Sequence, residues 1–568
     1  MTISKIFNSE AKTITSAVGL LGVSFLMSRI LGVVRNGLLS AKYGASETTD
    51  IYLAAFRIPD FLYGILIMGG IGAVFLPLFA EYMEKDRKTV GNTSLTPEGR
   101  EAWKFASNLL NILVLAILFL VLGAFLFMPF LIELVAPGFS PEQKALTVAL
   151  SRFMLLSPIF FVISAIFSGI LHYFHKFFAY SLAPILYNLG IIGGILFFAP
   201  FFGLWGLALG VVVGAVLHLL IQIPGALKSG FVWQRVLHFR HPSVRRVVKL
   251  SFPRTIGAAS YYINLIFMSA VASTISIGSI TIFTFANDLQ YFPIVLFGVS
   301  FATAAFPEFS RFFVQNNRER LWELCSRAIS RITFLVLPVA LIFFFLRDHL
   351  MWLIYGTTLK FGFQEIRLAG ALLGVFALGV VFQSLIPIFV RAFFAMQNTK
   401  TPTFVSIFAI GLNVAFVFFL MRLLSFPNLF SQGITSFLHL EGFSDIRIVG
   451  LPLAILLSGA IQFLFLLMLL KRHIGAFFPR TLFLSLSKTI GAVLITGIAI
   501  SAFLQIYEGM FFPLTYMQVL TQFLVVVAGG SIVYGVSAFL LRSHEMLSLW
   551  HPVEKSFAAL TRNPKRVK

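Results

Sequence analysis

The sequence predicts an all-α polytopic membrane protein of about fourteen spanning helices. Three observations lead there. First, 58% of the 568 residues are hydrophobic and only 11% are charged, against about 25% charged in a soluble domain; mean hydropathy is +0.92. Second, apolar runs long enough to cross a bilayer recur along the whole chain, joined by short polar stretches, and none of those stretches is long enough to be a separate soluble domain. Third, the Lys and Arg residues fall mainly in alternate joins, as spanning helices require.

The segments are placed at 14–34, 51–83, 105–132, 150–171, 180–202, 203–224, 250–272, 277–310, 332–346, 367–390, 401–421, 448–470, 483–505 and 515–541. The first is read as a retained helix. Its apolar run is long, is interrupted by Arg29, and has no small-x-small cleavage site. The basic side holds Lys5 and Lys12, the loop from Lys85 to Lys104, the stretch from Lys228 to Lys249, and Arg311 to Arg331. Lys471, Arg472, Arg480 and the tail Lys565-Arg566-Val567-Lys568 join them. Positive-inside logic therefore predicts cytoplasmic termini. Topology and attraction to anionic headgroups account for the net charge of +21 without nucleic acid.

The chain repeats itself. Gly206-Leu-Ala-Leu-Gly-Val-Val-Val-Gly-Ala-Val-Leu-His218 in the sixth segment aligns without gaps with Gly450-Leu-Pro-Leu-Ala-Ile-Leu-Leu-Ser-Gly-Ala-Ile-Gln462 in the twelfth. Phe75-Leu-Pro77-Leu-Phe79 in the second matches Ala305-Phe-Pro307-Glu-Phe309 in the eighth. Transporters are often built from related halves. The expected organisation is an N-lobe (1–224), a C-lobe (225–475), two further helices (476–545) and a basic tail (546–568). Gly64, Gly69, Gly70 and Gly72 serve either close helix packing or a hinge.

No enzyme constellation emerges. A P-loop is missing, which argues against direct ATP hydrolysis. Cys325 is the single cysteine, which excludes an internal disulfide. His172 and His175 share a short loop, but no Cys or carboxylate cluster completes a metal site there. No cofactor is expected.

The informative groups are polar residues at membrane depth. Arg29 and Arg35 sit inside the first apolar run, six residues apart, so they point in different directions around one helix. Burying a cation at a helix centre costs roughly 2.5–3.5 kcal/mol, so such residues face water, a partner or a ligand. Arg35 also has the option of snorkelling to the interface. Arg57 precedes Asp60 by one turn and can pair with it. Arg254 opens the seventh segment. Asp288 in the eighth is read three ways: neutralising an arginine, binding a coupling cation, or capping a break. Asn264 and Asn413 supply polar groups to a cavity or hydrogen bonds between helices.

These motifs resemble the MurJ (MviN) lipid II flippases. The resemblance is carried by Ser28-Arg29-Ile-Leu-Gly32-Val-Val-Arg35, Gly44-Ala, Thr49-Asp50, Ala55-Phe56-Arg57-Ile58-Pro59, and Phe75-Leu-Pro77-Leu-Phe-Ala80-Glu81-Tyr82. It continues through Ala136-Pro137-Gly138-Phe139, Pro253-Arg254 with Ile263-Asn264, and Arg391-Ala-Phe-Phe-Ala-Met-Gln397-Asn-Thr-Lys400-Thr-Pro402. It spans essentially the whole chain in order. It implies the MOP exporter fold, with two six-helix lobes around a central cavity and two added C-terminal helices. It also implies export of a lipid-linked peptidoglycan precursor to the outer leaflet of a bacterial inner membrane by alternating access. The anionic pyrophosphate would meet Arg29 and Arg35 first, with Arg57, Arg254, Asn264 and Asp288 completing the substrate site. The undecaprenyl tail would stay in lipid beside the last two helices.

The chain departs from the family pattern at Tyr63-Gly64, where an Arg-Arg pair is usual, at Met68, where an acid is usual, and at Asp288, where an arginine is usual. The expected partners are the lipid-linked anionic substrate, membrane lipids, and either a coupling cation or the membrane potential, with the protein a monomer. Two alternatives follow from the same residues. One is an exporter of another undecaprenyl-linked glycan, or a drug or cation antiporter, the latter favouring carboxylates over cavity arginines. The other is a non-transporting scaffold for cell-wall enzymes, which has no evident need for Arg29 and Arg35.

Overall fold

A polypeptide inside a bilayer must satisfy its backbone polar groups internally, and helices do so within one segment. The computed structural model describes residues 14–66, 72–90, 101–358, 360–475, 480–508 and 515–548, and among them there is no strand. Lys5, Lys12, Met68, Gly69, Gly70, Arg100 and the final tail lie outside the described residues.

The helices of the first half are α1 (Ile14–Tyr43), α2 (Glu47–Tyr63), α3 (Gly72–Val90), α4 (Glu101–Leu126), α5 (Met128–Val135) and α6 (Pro141–Met154). Then come α7 (Leu156–Tyr173), α8 (Phe177–Gly193), α9 (Ala199–Phe202), α10 (Leu204–Leu220), α11 (Ile223–Lys228) and α12 (Pro242–Ser273). The second half holds α13 (Ser279–Pro293), α14 (Ser300–Val314), α15 (Arg318–Phe345), α16 (Arg347–Tyr355) and α17 (Phe363–Ala395). It closes with α18 (Lys400–Leu424), α19 (Leu429–Leu438), α20 (Gly450–Ile474), α21 (Arg480–Glu508) and α22 (Tyr516–Leu540).

Thirteen stretches among the described residues are long and apolar enough to span a membrane, and each overlaps one of the fourteen segments expected from sequence. The remaining segment, 51–83, is carried by α2 and α3. Residues 67–71, between these two helices, lie outside the described residues.

Contacts divide the chain into two compact units. One comprises Met1–Ile282 with Thr358–Phe361; the other comprises Phe283–Thr357 with Gly362–Lys568. Helix α12 thus groups with the first unit, where it packs on α2, α3 and α5.

In the first unit, α8 packs on α10 through glycine. A Cβ on Gly210 would sit 2.6 Å from the Gly194 Cα, and one on Gly190 would overlap Gly214. Small residues let two backbones approach this closely, which is how helices associate without a hydrophobic drive between them. The sixth-segment glycine pattern is therefore a helix–helix seam. In the second unit, α20 packs on α18 and α17. This repeats the pairing of α10 with α8 and α7, six segments earlier.

The two halves share a subtler feature. The second segment has its π turn at 64–66, and α13 passes into a π turn at Ile294–Val299. Each turn begins thirteen residues before the matched proline, Pro77 or Pro307. A π turn holds one extra residue in the helix and frees backbone groups, and such turns recur at functional sites. A third lies at Gly194–Phe198, where the Ile195 carbonyl accepts from Lys42 Nζ at 2.7 Å.

Candidate functional site

The first unit gathers polar groups from α1, α2, α7, α8 and α10. Helix α1 runs unbroken through Arg29 and Arg35. One of its faces is fixed by α8: Asn188 Nδ2 donates to the Ser28 carbonyl and to Ser28 Oγ, both at 3.3 Å, and Gly32 faces the same side chain one turn on. Arg29 lies off that face and is exposed, beside exposed Leu26 and Ile30. Arg35 is half-buried, and its Nε donates to Oδ1 of buried Asn36 at 3.1 Å.

Arg35 and Asp60 both act electrostatically on Tyr52 and Tyr187, and Asp60 also acts on Tyr63. One cation, one carboxylate and three phenols thus share a neighbourhood built by α1, α2 and α8. Arg57 stands one turn before Asp60 on α2, and both are half-buried. A site of this kind has guanidinium donors suited to phosphate oxygens and phenol hydroxyls able to donate or accept.

The two departures on α2 have a structural account. The Tyr63 ring meets Phe161 edge-on at 5.0 Å, and Phe161 in turn meets Tyr187 and His218, each at 5.1 Å. Gly64 is covered by the ring of Tyr262 from α12, into which a Cβ at residue 64 would project. The aromatic groups Tyr63 and Tyr262 therefore fill the region that an Arg-Arg pair would enter.

Sequence reasoning missed a polar chain behind these rings. Ser164 Oγ and His218 Nδ1 are 2.8 Å apart, Gln222 Nε2 donates to Ser164 Oγ at 2.6 Å, and Ser168 Oγ donates to Gln222 Oε1 at 2.7 Å. The legible signal was the spacing: Ser164 with Ser168 and His218 with Gln222 are i,i+4 pairs on facing segments.

Other expected residues are placed as follows. Arg254 lies in α12, with its side chain outside the described residues. Asn264, also on α12, is half-buried, and its Oδ1 is buried with no hydrogen-bond partner among the described residues. Asp288 belongs to the second unit and is exposed on α13, shortly before the π turn. Asn413 Nδ2 donates to Ser458 Oγ at 3.2 Å between α18 and α20. His172 ends α7 rather than lying in a loop, and His175 follows with a positive φ. No group of three or more His, Cys, Asp or Glu suited to a metal occurs among the described residues.

Several of the quoted motifs meet in a latch. Buried Asp50 accepts from Gly278 N at 2.7 Å, Thr281 N at 2.9 Å and Thr281 Oγ1 at 2.6 Å, binding the start of α2 to the start of α13. Gly138 N donates to Ser273 Oγ at 3.1 Å, and a Cβ there would overlap the Ser273 carbonyl. Gly44 holds a positive φ of 67° and is pressed by the Lys360 carbonyl, while Thr49 Oγ1 donates to the Gly44 carbonyl at 2.8 Å. Glycine is required at Gly44 because an L side chain is strained at that φ. A cleft of about 230 Å³ opens beside this latch, lined by Glu47, Asp50, Gln143 and Ser273 among others.

A family model described as "Lipid II flippase MurJ" matches residues 39–521. A probable lipid II flippase MurJ of Rhizobium tropici is 30% identical over 423 residues, covering 73% of this chain and 76% of the relative. The lipid II flippase MurJ of Burkholderia cenocepacia is 29% identical over 392 residues, covering 67% and 73%. Among solved structures, lipid II flippase MurJ in an inward closed conformation superposes with a TM-score of 0.69 at 24% identity, over 92% of this chain and 98% of that one. An inward-facing multidrug resistance MATE family transporter of the MOP superfamily gives 0.61 at 16% identity, over 81% and 98%. The fold is that of MOP-superfamily transporters.

Proposed function

Because the chain belongs to the lipid II flippase MurJ family, we propose that it carries lipid II, the undecaprenyl-pyrophosphate-linked peptidoglycan precursor, from the inner to the outer leaflet. It does so by alternating access, as a multi-pass protein of a bacterial inner membrane with both termini in the cytoplasm. The observation that carries this reading is the pair of cations on α1. Arg29 is exposed within an apolar helix, and Arg35 is half-buried in a cluster with Asp60 and three tyrosines. A membrane helix retains such groups where they meet a ligand or water, and a pyrophosphate is a ligand that rewards them. Guanidinium groups bind its oxygens with charge-assisted, often bidentate hydrogen bonds.

In this reading Arg29 receives the pyrophosphate and Arg35 holds it. Arg57, Arg254, Asn264 and Asp288 complete the substrate site, and the undecaprenyl tail remains in lipid. Residues 1–224 and 225–475 act as the two lobes, 476–545 as the added helix pair and 546–568 as a basic tail. The protein acts as a monomer, without catalysis, and its cycle is driven by a coupling cation or by the membrane potential.

One observation favours a second cargo. Tyr63, and the Tyr262 ring over Gly64, put aromatic groups where the resemblance has an Arg-Arg pair, and aromatic rings stack on sugar faces. A different undecaprenyl-linked glycan is the cargo that follows from it.

Depletion-rescue tests the reading. A strain depleted of its own lipid II flippase is complemented with this chain. Survival with wild-type cell shape is expected. Death despite membrane insertion excludes lipid II as cargo and leaves the second glycan.

A further inference from the structure

At one end of the second unit, a cavity of about 940 Å³ lies between the first turns of α15, the first turns of α21 and the residues that follow α22. Its lining on α15 forms two adjacent i,i+4 stripes, one through Trp322 and Ser326, the other through Arg327 and Arg331. No step of the flippase reading uses it.

Charge says what it would hold. The stretches around it, 318–331, 471–488 and 542–548, carry nine Lys and Arg against three Glu. Two of those acids are already engaged. Glu323 lies 3.9 Å from Arg327, and buried Glu545 accepts from Ser485 Oγ at 2.7 Å and from Ser543 Oγ at 2.9 Å. Lys488 donates to the Arg542 carbonyl at 2.9 Å, and its ammonium has further protons to give.

A second observation points the same way. Ser326 is only 5% exposed and lines the cavity, and its Oγ has no hydrogen-bond partner among the described residues. Ser330, one turn further on, is satisfied by Ser485 Oγ at 2.5 Å. A buried hydroxyl left without an acceptor is costly, so an acceptor is expected. Beside it the walls are apolar: Trp322 and Leu482 are both buried. Cationic rim, orphan donor and hydrocarbon wall together describe an amphiphile with an anionic head.

We propose that this cavity binds an anionic glycerophospholipid of the cytoplasmic leaflet. Arg318, Arg331 and Lys488 hold its phosphodiester, Ser326 Oγ donates to it, and the acyl chains lie along Trp322 and Leu482. Basic pockets between membrane helices on the cytoplasmic side bind such headgroups. The leaflet rests on the orientation proposed above; the binding does not.

The test is native mass spectrometry of the purified full chain in detergent, titrated with phosphatidylglycerol, phosphatidylcholine or undecaprenyl phosphate. Phosphatidylglycerol is expected to bind at least about five-fold more tightly than phosphatidylcholine, since one Lys or Arg near an anionic lipid is worth about that factor. Arg331→Gln and Ser326→Ala each weaken phosphatidylglycerol binding. Arg472→Gln, an equal loss of charge outside the cavity lining, leaves it unchanged. Arg318→Gln serves where Arg331→Gln does not fold. Equal binding of the two phospholipids overturns the proposal, as does equal weakening by Arg472→Gln. Displacement of phosphatidylglycerol by undecaprenyl phosphate at equal or lower concentration also overturns it, assigning the cavity to the cargo's tail instead.

Discussion

The contact between Gly64 and Tyr262 makes a quantitative prediction about the missing arginine pair. A single methyl at residue 64 projects into the Tyr262 ring, so Gly64→Ala forces the ring aside. Overpacking of this kind costs about 1–3 kcal/mol. Tyr262→Ala removes a half-buried ring and costs about 1–2 kcal/mol in lost contacts. The double variant has the methyl but no ring to displace, so it should be no less stable than Tyr262→Ala alone. The coupling energy is then about 1–3 kcal/mol and favourable, in the range seen for residues in direct contact. Purified variants are unfolded by titration with denaturing detergent, and the four corners of the cycle are compared. Gly64→Arg extends the series: it should insert and fold only in the Tyr262→Ala background. Additive costs for Gly64→Ala and Tyr262→Ala would refute the claim that Tyr262 has taken the place of a side chain at residue 64.

Three further expectations follow from the packing. Asp50→Ala strips three hydrogen bonds from the start of α13; amide exchange at Gly278 and Thr281 should rise by at least about ten-fold, since a bond to a charged acceptor is worth roughly 1.5–3 kcal/mol, while Asp50→Asn should fall between. Gly210→Ala should destabilise the chain by about 1–3 kcal/mol because its Cβ meets the Gly194 backbone; Gly123→Ala, with open space around it, should be neutral or stabilising by up to about 1 kcal/mol, and thermal unfolding separates the two. Deleting Leu296 from the π turn should restore α-helical register without loss of folding; deleting Phe283, inside α13, should abolish it, and the yield of folded protein on gel filtration reads both.

How much of this was legible in the sequence differs by length scale. Spanning helices were legible because a bilayer demands about twenty apolar residues whatever the partners. Their ends were less so: 332–346 is the apolar core of α15, which begins at Arg318, because hydropathy is blind to amphipathic turns that continue a helix beyond the hydrocarbon. Short helices such as α5, α16 and α19 leave no spanning-length signal. The π turns were invisible, since they depend on one extra residue in register rather than on composition. Arg29 and Arg35 stood out because cations in an apolar run are costly. Tyr63 and Gly64 stood out only as departures from a pattern. Their reason, a ring about two hundred residues away at Tyr262, is a tertiary contact that local sequence does not encode. The same holds for Ser164, His218 and Gln222, whose hydrogen bonds close only when α7 and α10 pack.

Transbilayer movement of labelled lipid II in proteoliposomes tests the central claim most directly, comparing wild type, Arg29→Ala, Arg35→Ala and Arg422→Ala. Arg422 ends α18 and is exposed, so its loss controls for charge alone. Loss of one charge-assisted bidentate contact, about 2–3 kcal/mol, should slow movement by at least about thirty-fold in the two α1 variants. Arg422→Ala should match wild type. Movement at the wild-type rate in both α1 variants would contradict the account.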